Sequence, residues 1–214
     1  KLKVQKIIYF STAQVYGSNL IGYVNEKTKP MPINNYSMMH LNVEKLLNKN
    51  SKFFPDGIFV LRLSNIFGSP NQKALKYWKL VCNDLCYQAI NNKKIVLKSS
   101  GKQYRDFLST NSLFEILENL INNSMFKNKF YIFNVGNGKP KSILSIAKII
   151  QKRCKVLYKY QPSISINNDI AEVSNRYIYG VEKLYNFKIN YKSEDFIQSI
   201  DDTLNYCLKI RKKL

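Results

Sequence analysis

Tyr36 and His40 stand four residues apart, and Glu44 follows after four more, in a stretch with helical period. Side chains at that spacing share one helix face and can meet. A tyrosine that exchanges a proton near neutral pH needs help, because a free phenol has a pKa of about 10. A nearby cation makes the phenolate accessible. His40 is the one histidine of the chain. Histidine has a reference pKa of about 6.5, so it is mostly neutral near pH 7. Beside a tyrosine that must ionise it is drawn towards the cationic form, but its short rigid ring lacks a lysine's reach. Upstream, Phe10-Ser11-Thr12-Ala13-Gln14-Val15-Tyr16-Gly17 reads as the end of a buried strand running into a hydroxyl-rich turn.

The elements that must hold these groups follow from the apolar pattern. Residues 6–10 form a continuous apolar run, as strands of a buried parallel sheet do. Residues 17–35 contain Gly17, Pro30 and Pro32 and are predicted as a loop. Residues 36–49 follow helical period through Met39, Val43, Leu46 and Leu47. Pro55-Asp56-Gly57 makes a turn before the apolar strand 58–63. Strand, helix, strand in sequence is a right-handed βαβ unit. Further on, the pattern predicts helices over 74–92, 112–123, 142–152, 181–185 and 193–212. It predicts strands over 95–97, 130–136 and 154–160. No internal repeat or low-complexity linker interrupts the chain.

With 214 residues and 45% hydrophobic content, the chain is long enough for one sizeable core or two small ones. The net charge of +20 raises the question of a nucleic acid or an anionic membrane as partner. The lysines are dispersed, however, and only Lys209-Ile210-Arg211-Lys212-Lys213-Leu214 forms a basic cluster, at a helix end where cations suit the dipole. Nucleic acid is therefore disfavoured as the main partner. No run reaches the roughly 18–20 apolar residues of a membrane span, and no signal peptide is expected. Cys82, Cys86, Cys154 and Cys207 lack metal-ligand spacing. They are expected to be reduced, buried thiols of a cytoplasmic protein, with no metal bound.

The ordered motifs resemble those of the extended short-chain dehydrogenase/reductase family, the nucleotide-sugar epimerases and dehydratases. That family shows S-T/S-x-x-V-Y-G, then Y-x-x-x-K, then an acidic residue four positions on. Ser11 to Gly17, Tyr36 and Glu44 match, and Pro32-x-Asn34-x-Tyr36 fits the approach to the helix. Arg62-Leu63-Ser64-Asn65-Ile66-Phe67-Gly68 resembles R-x-x-N-x-Y/F-G, and Gly101 to Phe107 resembles G-x-x-x-R-D-F. Asn134-Val135-Gly136-x-Gly138 followed by Ser142 resembles N-V-G-x-G…S.

The resemblance implies an α/β fold: the C-terminal part of a Rossmann-like doubly wound parallel sheet plus a smaller α/β substrate-binding domain. Residues 1–69 and 111–136 would form part of the dinucleotide domain, and residues 70–110 and 137–214 the nucleotide-sugar domain. No G-x-x-G-x-x-G or G-x-G-x-x-G occurs, so the pyrophosphate turn of the family would lie upstream of Lys1 in a longer protein. The implied activity is NAD- or NADP-dependent hydride transfer on a nucleoside-diphosphate sugar by a homodimer. Tyr36 would be the acid/base, Thr12 would hold the reacting oxygen, and Ser11, Tyr36 and His40 would face the cofactor. Asn65 would touch the sugar nucleotide. Arg105 and Arg176 would bind its diphosphate, a group that suits the guanidinium fork.

Two departures qualify the implied chemistry. His40 occupies the lysine position, which points to impaired catalysis, retuned catalysis, or binding without catalysis. Ala13-Gln14 occupies the place of the Asp-Glu pair of 4,6-dehydratases, and neither side chain exchanges protons. Dehydration is disfavoured, leaving epimerase or reductase chemistry, with a catalytically impaired nucleotide-sugar-binding homologue as the alternative.

Overall fold

The computed structural model describes residues 4–17, 20–69, 78–122, 129–167, 175–191 and 196–211. The first part of the chain carries β1 (Ile7–Thr12), β2 (Gly22–Val24), α1 (Asn35–Lys49), β3 (Ile58–Leu63) and β4 (Asn65–Phe67). Next come α2 (Val81–Asn91), β5 (Lys94–Leu97), β6 (Tyr104–Arg105), β7 (Phe107–Ser109), α3 (Thr110–Asn122) and β8 (Phe130–Val135). The last part holds β9 (Lys141–Ser142), α4 (Ile143–Tyr158), β10 (Ser163–Ile166), β11 (Tyr177–Tyr179), α5 (Glu182–Asn186) and α6 (Phe196–Arg211). The fold is α/β, with a parallel sheet and helices, as the sequence predicts.

The chain divides into two compact units. The first comprises Lys1–Ser64, Phe114–Lys139 and Arg176–Tyr191. Its parallel sheet has the order β1-β3-β8. Ile58, Phe59, Val60 and Leu61 of β3 are all fully buried, because the central strand is covered on both faces. A second parallel pair, β2 with β11, buries Val15, Tyr16, Val24, Tyr179 and Val181 together. Residues 176–191, expected with the substrate domain, thus cluster in this unit. The β2–β11 pairing holds them there, and β2 itself lies inside residues 17–35, predicted to be only loop.

Helix α1 forms where helical period predicts it, capped by a reciprocal Asn34–Ser37 box. Its apolar positions do not make the core face. Met38, Met39 and Leu46 are exposed, whereas Ser37 and Glu44 are buried. The inward face is polar because Glu44 has buried hydrogen-bond partners in the sheet.

The second unit comprises Asn65–Leu113, Pro140–Asn175 and Lys192–Leu214. Its two-stranded pieces are β4–β7 and β5–β10, both parallel, and β6–β9, antiparallel. Helices α2, α4 and α6 share one core that contains all four cysteines, each a free thiol. Burial pushes the thiols of Cys154 and Cys207 up to about 11 and about 12 respectively, so they remain protonated and pack as small apolar groups.

The predicted strand at 154–160 is instead the last turns of α4. Ile143, Ile146, Ala147, Ile150 and Cys154 repeat at helical spacing and are buried. That stripe overrides the local alternation, and the helix stops only at Lys159, which is left-handed at φ 59°. The described part of the helix expected at 74–92 is Val81–Asn91, and residues 74–77 lie outside the described residues. The terminal helix is described as Phe196–Arg211, and residues 193–195 and 212 also lie outside.

Candidate active site

Ser11, Arg62 and Asn134 sit in one row across the carboxyl ends of the three parallel strands. Ser11 pairs in register with Arg62, and Arg62 with Asn134. Ligands of open parallel α/β sheets bind outside the carboxyl ends of the strands. All three residues are almost completely buried, and all are bonded. Glu44 of α1 accepts from Arg62 Nε at 3.1 Å and Nη2 at 2.6 Å, and from Ser11 Oγ at 2.5 Å. Burial opposes the Arg62 charge, but its hydrogen bonds to Glu44 and the neighbouring Tyr16 outweigh it and hold the guanidinium firmly protonated.

Tyr16 lies beneath that guanidinium at 4.8 Å and donates to Asn134 Oδ1 at 2.7 Å. Burial pushes its phenol up to about 12, although Arg62 pulls the other way. Asn134 completes the lattice by donating to the carbonyls of Val24 and Gly180, while its backbone N–H donates to Glu26. Tyr179 donates to the Arg62 carbonyl. This connected set fixes the floor of the strand ends, so the groups above it are held on a rigid base.

Thr12 ends β1 and caps the following short helical turn, accepting from the Gln14 N–H at 3.2 Å. Accepting through a lone pair leaves the hydroxyl proton for donation to another oxygen. Tyr36 is half exposed in the first turn of α1. Its ring meets His40 edge-on, with centroids 4.6 Å apart, as the spacing predicts. His40 also meets Tyr9 of β1, whose hydroxyl lies 2.7 Å from Nδ1. Tyr9 and Ser11 share a face of β1, and His40 and Glu44 share a face of α1. Burial first, and then the negative Glu44 and the neighbouring Tyr36, raise the Tyr9 phenol above its ordinary value.

In the second unit, Asn65 opens β4 and donates from Nδ2 to the Asp106 carbonyl at 2.9 Å. Its backbone N–H reaches the same carbonyl at 3.1 Å. The structure thereby brings Asn65 beside the Arg105-Asp106 peptide, with Asp106 fully buried. Arg105 is half-buried on β6, opposite Lys141, and donates to Gln103 Oε1 at 3.0 Å. The glycines of both motifs are dictated locally. A Cβ at Gly68 would fall 2.2 Å from Thr110 Oγ1. Gly101 has φ +67°, and a Cβ there would fall 2.7 Å from Leu97.

Ser11, Thr12, Tyr36, His40 and Arg176 therefore belong to the first unit, and Asn65 and Arg105 to the second. Arg176 is exposed just before β11, where its carbonyl accepts from Gly22. The sequence motifs contain Arg62 and Asn134 but do not reveal their pairing with Glu44 and Tyr16. Tyr9 escapes sequence reasoning, although its two-residue offset from Ser11 on one strand face was the available clue. Among the described residues, no cluster of histidine, cysteine and carboxylate side chains suits a metal ion, and no helix is long and apolar enough to cross a membrane.

Comparison with known proteins agrees with this architecture. The chain is 30% identical over 159 residues to dTDP-D-glucose 4,6-dehydratase of Dictyostelium discoideum, covering 69% of this chain and 35% of that protein. It spans less than half the length of such curated relatives. Among solved structures, it superposes on dTDP-glucose 4,6-dehydratase of Bacillus anthracis in complex with NAD with a TM-score of 0.76. Identity there is 22%, covering 97% of this chain and 63% of that one. A UDP-glucuronic acid 4-epimerase from Bacillus cereus in complex with NAD gives 0.76 at 19% identity, covering 98% and 63%. These likenesses establish the Rossmann-type fold. Residues 1–136 match the sequence profile of one family throughout, and the chain belongs to that family, the NAD dependent epimerase/dehydratases.

Proposed function

We propose that this chain is the C-terminal portion of an NAD- or NADP-dependent nucleotide-sugar epimerase or reductase. The observation that carries this is the placement of Thr12 and the Tyr36–His40 pair in one unit with the polar strand ends. The first unit serves as the partial dinucleotide domain, and the second as the nucleotide-sugar domain. The residues present fit the ribose and nicotinamide half of such a cofactor: the hydroxyls of Thr12 and Tyr36, the His40 ring against Tyr36, and Ser11, whose own proton goes to Glu44. The glycine-rich turn for its pyrophosphate does not occur in this sequence.

The cofactor, when bound, supplies hydride acceptance and return at a sugar carbon. Thr12 donates its remaining proton to the sugar oxygen and holds it. Tyr36 takes or returns the hydroxyl proton at that oxygen. Arg105 and Arg176 neutralise the diphosphate, and Asn65 contacts the sugar nucleotide. Ala13 and Gln14 offer no proton-exchanging group, so sugar dehydration is outside this proposal.

A second copy of the chain is the proposed partner. Met38, Met39, Val43 and Leu46 of α1 line an open groove of about 370 Å³ whose surface is largely apolar. A reducing compartment, the cytoplasm, fits the four free thiols.

One observation favours a second reading. His40, not a permanent cation, is the ring that meets Tyr36, and the neutral phenol of Tyr9 engages it. A homologue that binds nucleotide sugars with impaired turnover has this character. The test is to incubate the full-length protein with NAD or NADP and a panel of UDP-, dTDP- and GDP-sugars, and to follow binding and product separately. Epimerised or reduced sugar supports the enzyme. Binding without product supports the impaired homologue, and an absence of binding contradicts both readings.

A further inference from the structure

We propose that Tyr9 is a positioning residue for His40: its hydroxyl donates to Nδ1, fixes the ring, and makes Nε2 the proton-bearing nitrogen. The geometry is a 2.7 Å contact between the Tyr9 oxygen and Nδ1, with the two rings 5.7 Å apart and tilted. A neutral imidazole has one bare nitrogen and one N–H, and the partner of one nitrogen decides the role of the other. Tyr9 can donate because its phenol keeps its proton: burial raises it, and so do Glu44 and Tyr36.

The groups around the pair leave the phenol as the partner of Nδ1. Glu44, the nearest carboxylate on α1, is committed to Arg62 and Ser11. Tyr36 meets the ring edge-on. A carboxylate can only accept from a protonated Nδ1, whereas a phenol can donate to a bare one. When the ring does take a proton, the same hydroxyl can turn and accept from Nδ1–H. His40 thereby keeps one position in both charge states.

This assignment deepens the proposed function. A short ring in the lysine position contributes through one oriented Nε2–H donor, not through a permanent charge. That consequence rests on the enzyme reading, but the tautomer itself does not. The two fail separately, because the tautomer is read without cofactor or substrate.

The experiment uses the full-length protein with 15N-labelled histidine. The His40 ring nitrogens are assigned by their loss in His40→Gln. Above the imidazole titration, long-range 15N–1H correlations are expected to show Nε2 protonated and Nδ1 bare, in essentially one tautomer. Tyr9→Phe, checked for an unchanged amide spectrum, is expected to lose the single-tautomer pattern and give a mixture. A protonated Nδ1 or a tautomer mixture in the wild type overturns the proposal, whether or not Tyr9→Phe folds. So does a folded Tyr9→Phe protein whose ring nitrogens match the wild type.

Discussion

The Glu44 carboxylate grips the Arg62 guanidinium through two bonds, at 3.1 and 2.6 Å, with both side chains 3% exposed. The pair ties the inner face of α1 to the central strand of the sheet. It explains why a helix with exposed Met38 and Met39 still docks: a buried, doubly hydrogen-bonded ion pair replaces an apolar stripe there. Such a pair adds little over an apolar substitute, but breaking it strands a charge.

Glu44→Ala or Arg62→Ala is therefore expected to cost about 3–5 kcal/mol of stability. Urea denaturation of each single variant and of the Glu44→Leu/Arg62→Met double variant checks this. The double variant is expected to be more stable than either single one. Single variants within experimental error of the wild type would contradict it.

Tyr16 gives a pH prediction. Its phenol is raised from 10.0 to about 12 in the folded state. Between these values the native state binds more protons than the unfolded chain, so stability falls as pH rises through that window. The contribution is complete below about pH 10 and amounts to roughly 2–3 kcal/mol when lost. Denaturation of wild type and Tyr16→Phe at near-neutral and strongly alkaline pH measures it. The stability difference between the two proteins is expected to shift in favour of the variant as pH rises. A difference independent of pH would show that Tyr16 titrates normally.

Much of the first unit was legible in the sequence, for identifiable reasons. β1, β3 and β8 are continuous apolar runs, and α1 carries both helical period and an Asn34 cap. The pairings β2–β11 and β6–β9 were not legible, since two- or three-residue strands are defined by their tertiary partners and carry little pattern of their own. The tail of α4 was misread because Cys154, Val156, Tyr158 and Tyr160 alternate, although Val156 is exposed on a helix. At the site, spacing announced the Tyr36–His40 contact. The Tyr9 contact depends on how α1 lies across β1, which local pattern does not encode.

Arg105 should matter to ligand binding and not to folding, because its side chain is half-buried and, among the described residues, bonded only locally to Gln103. In the full-length protein, Arg105→Ala is expected to weaken nucleoside-diphosphate binding by about 1.5–3 kcal/mol, the range for a hydrogen bond to a charged group. Isothermal titration of both proteins with UDP and dTDP makes the comparison. Equal affinities would remove Arg105 from the site.

The residues present here without a glycine-rich turn should hold the dinucleotide poorly. Calorimetry of the 214-residue chain alone with NAD and NADH is expected to show no tight complex. Micromolar affinity would show that the pyrophosphate site lies within these residues.

A lysine at position 40 places a permanent ammonium near Tyr36 and lowers the cost of its phenolate. His40→Lys in the full-length protein is expected to raise turnover and extend it to higher pH. A pH–rate profile of both proteins reads this out. A lysine variant slower at every pH, beside an active wild type, would mean the histidine is itself tuned for the reaction.

Hydride transfer at a nucleotide sugar with Tyr36 as acid/base is tested most directly by a deuterium label on the reacting sugar carbon, followed in the full-length wild type and in Tyr36→Phe. The label is expected either to return to the sugar as its epimer forms or to pass between sugar and cofactor, as an epimerase or a reductase requires. Tyr36→Phe is expected to bind the sugar nucleotide normally and to turn over roughly 10²–10⁴-fold more slowly. Undiminished turnover in Tyr36→Phe, or label lost to water during reaction, would contradict hydride transfer with Tyr36 as acid/base.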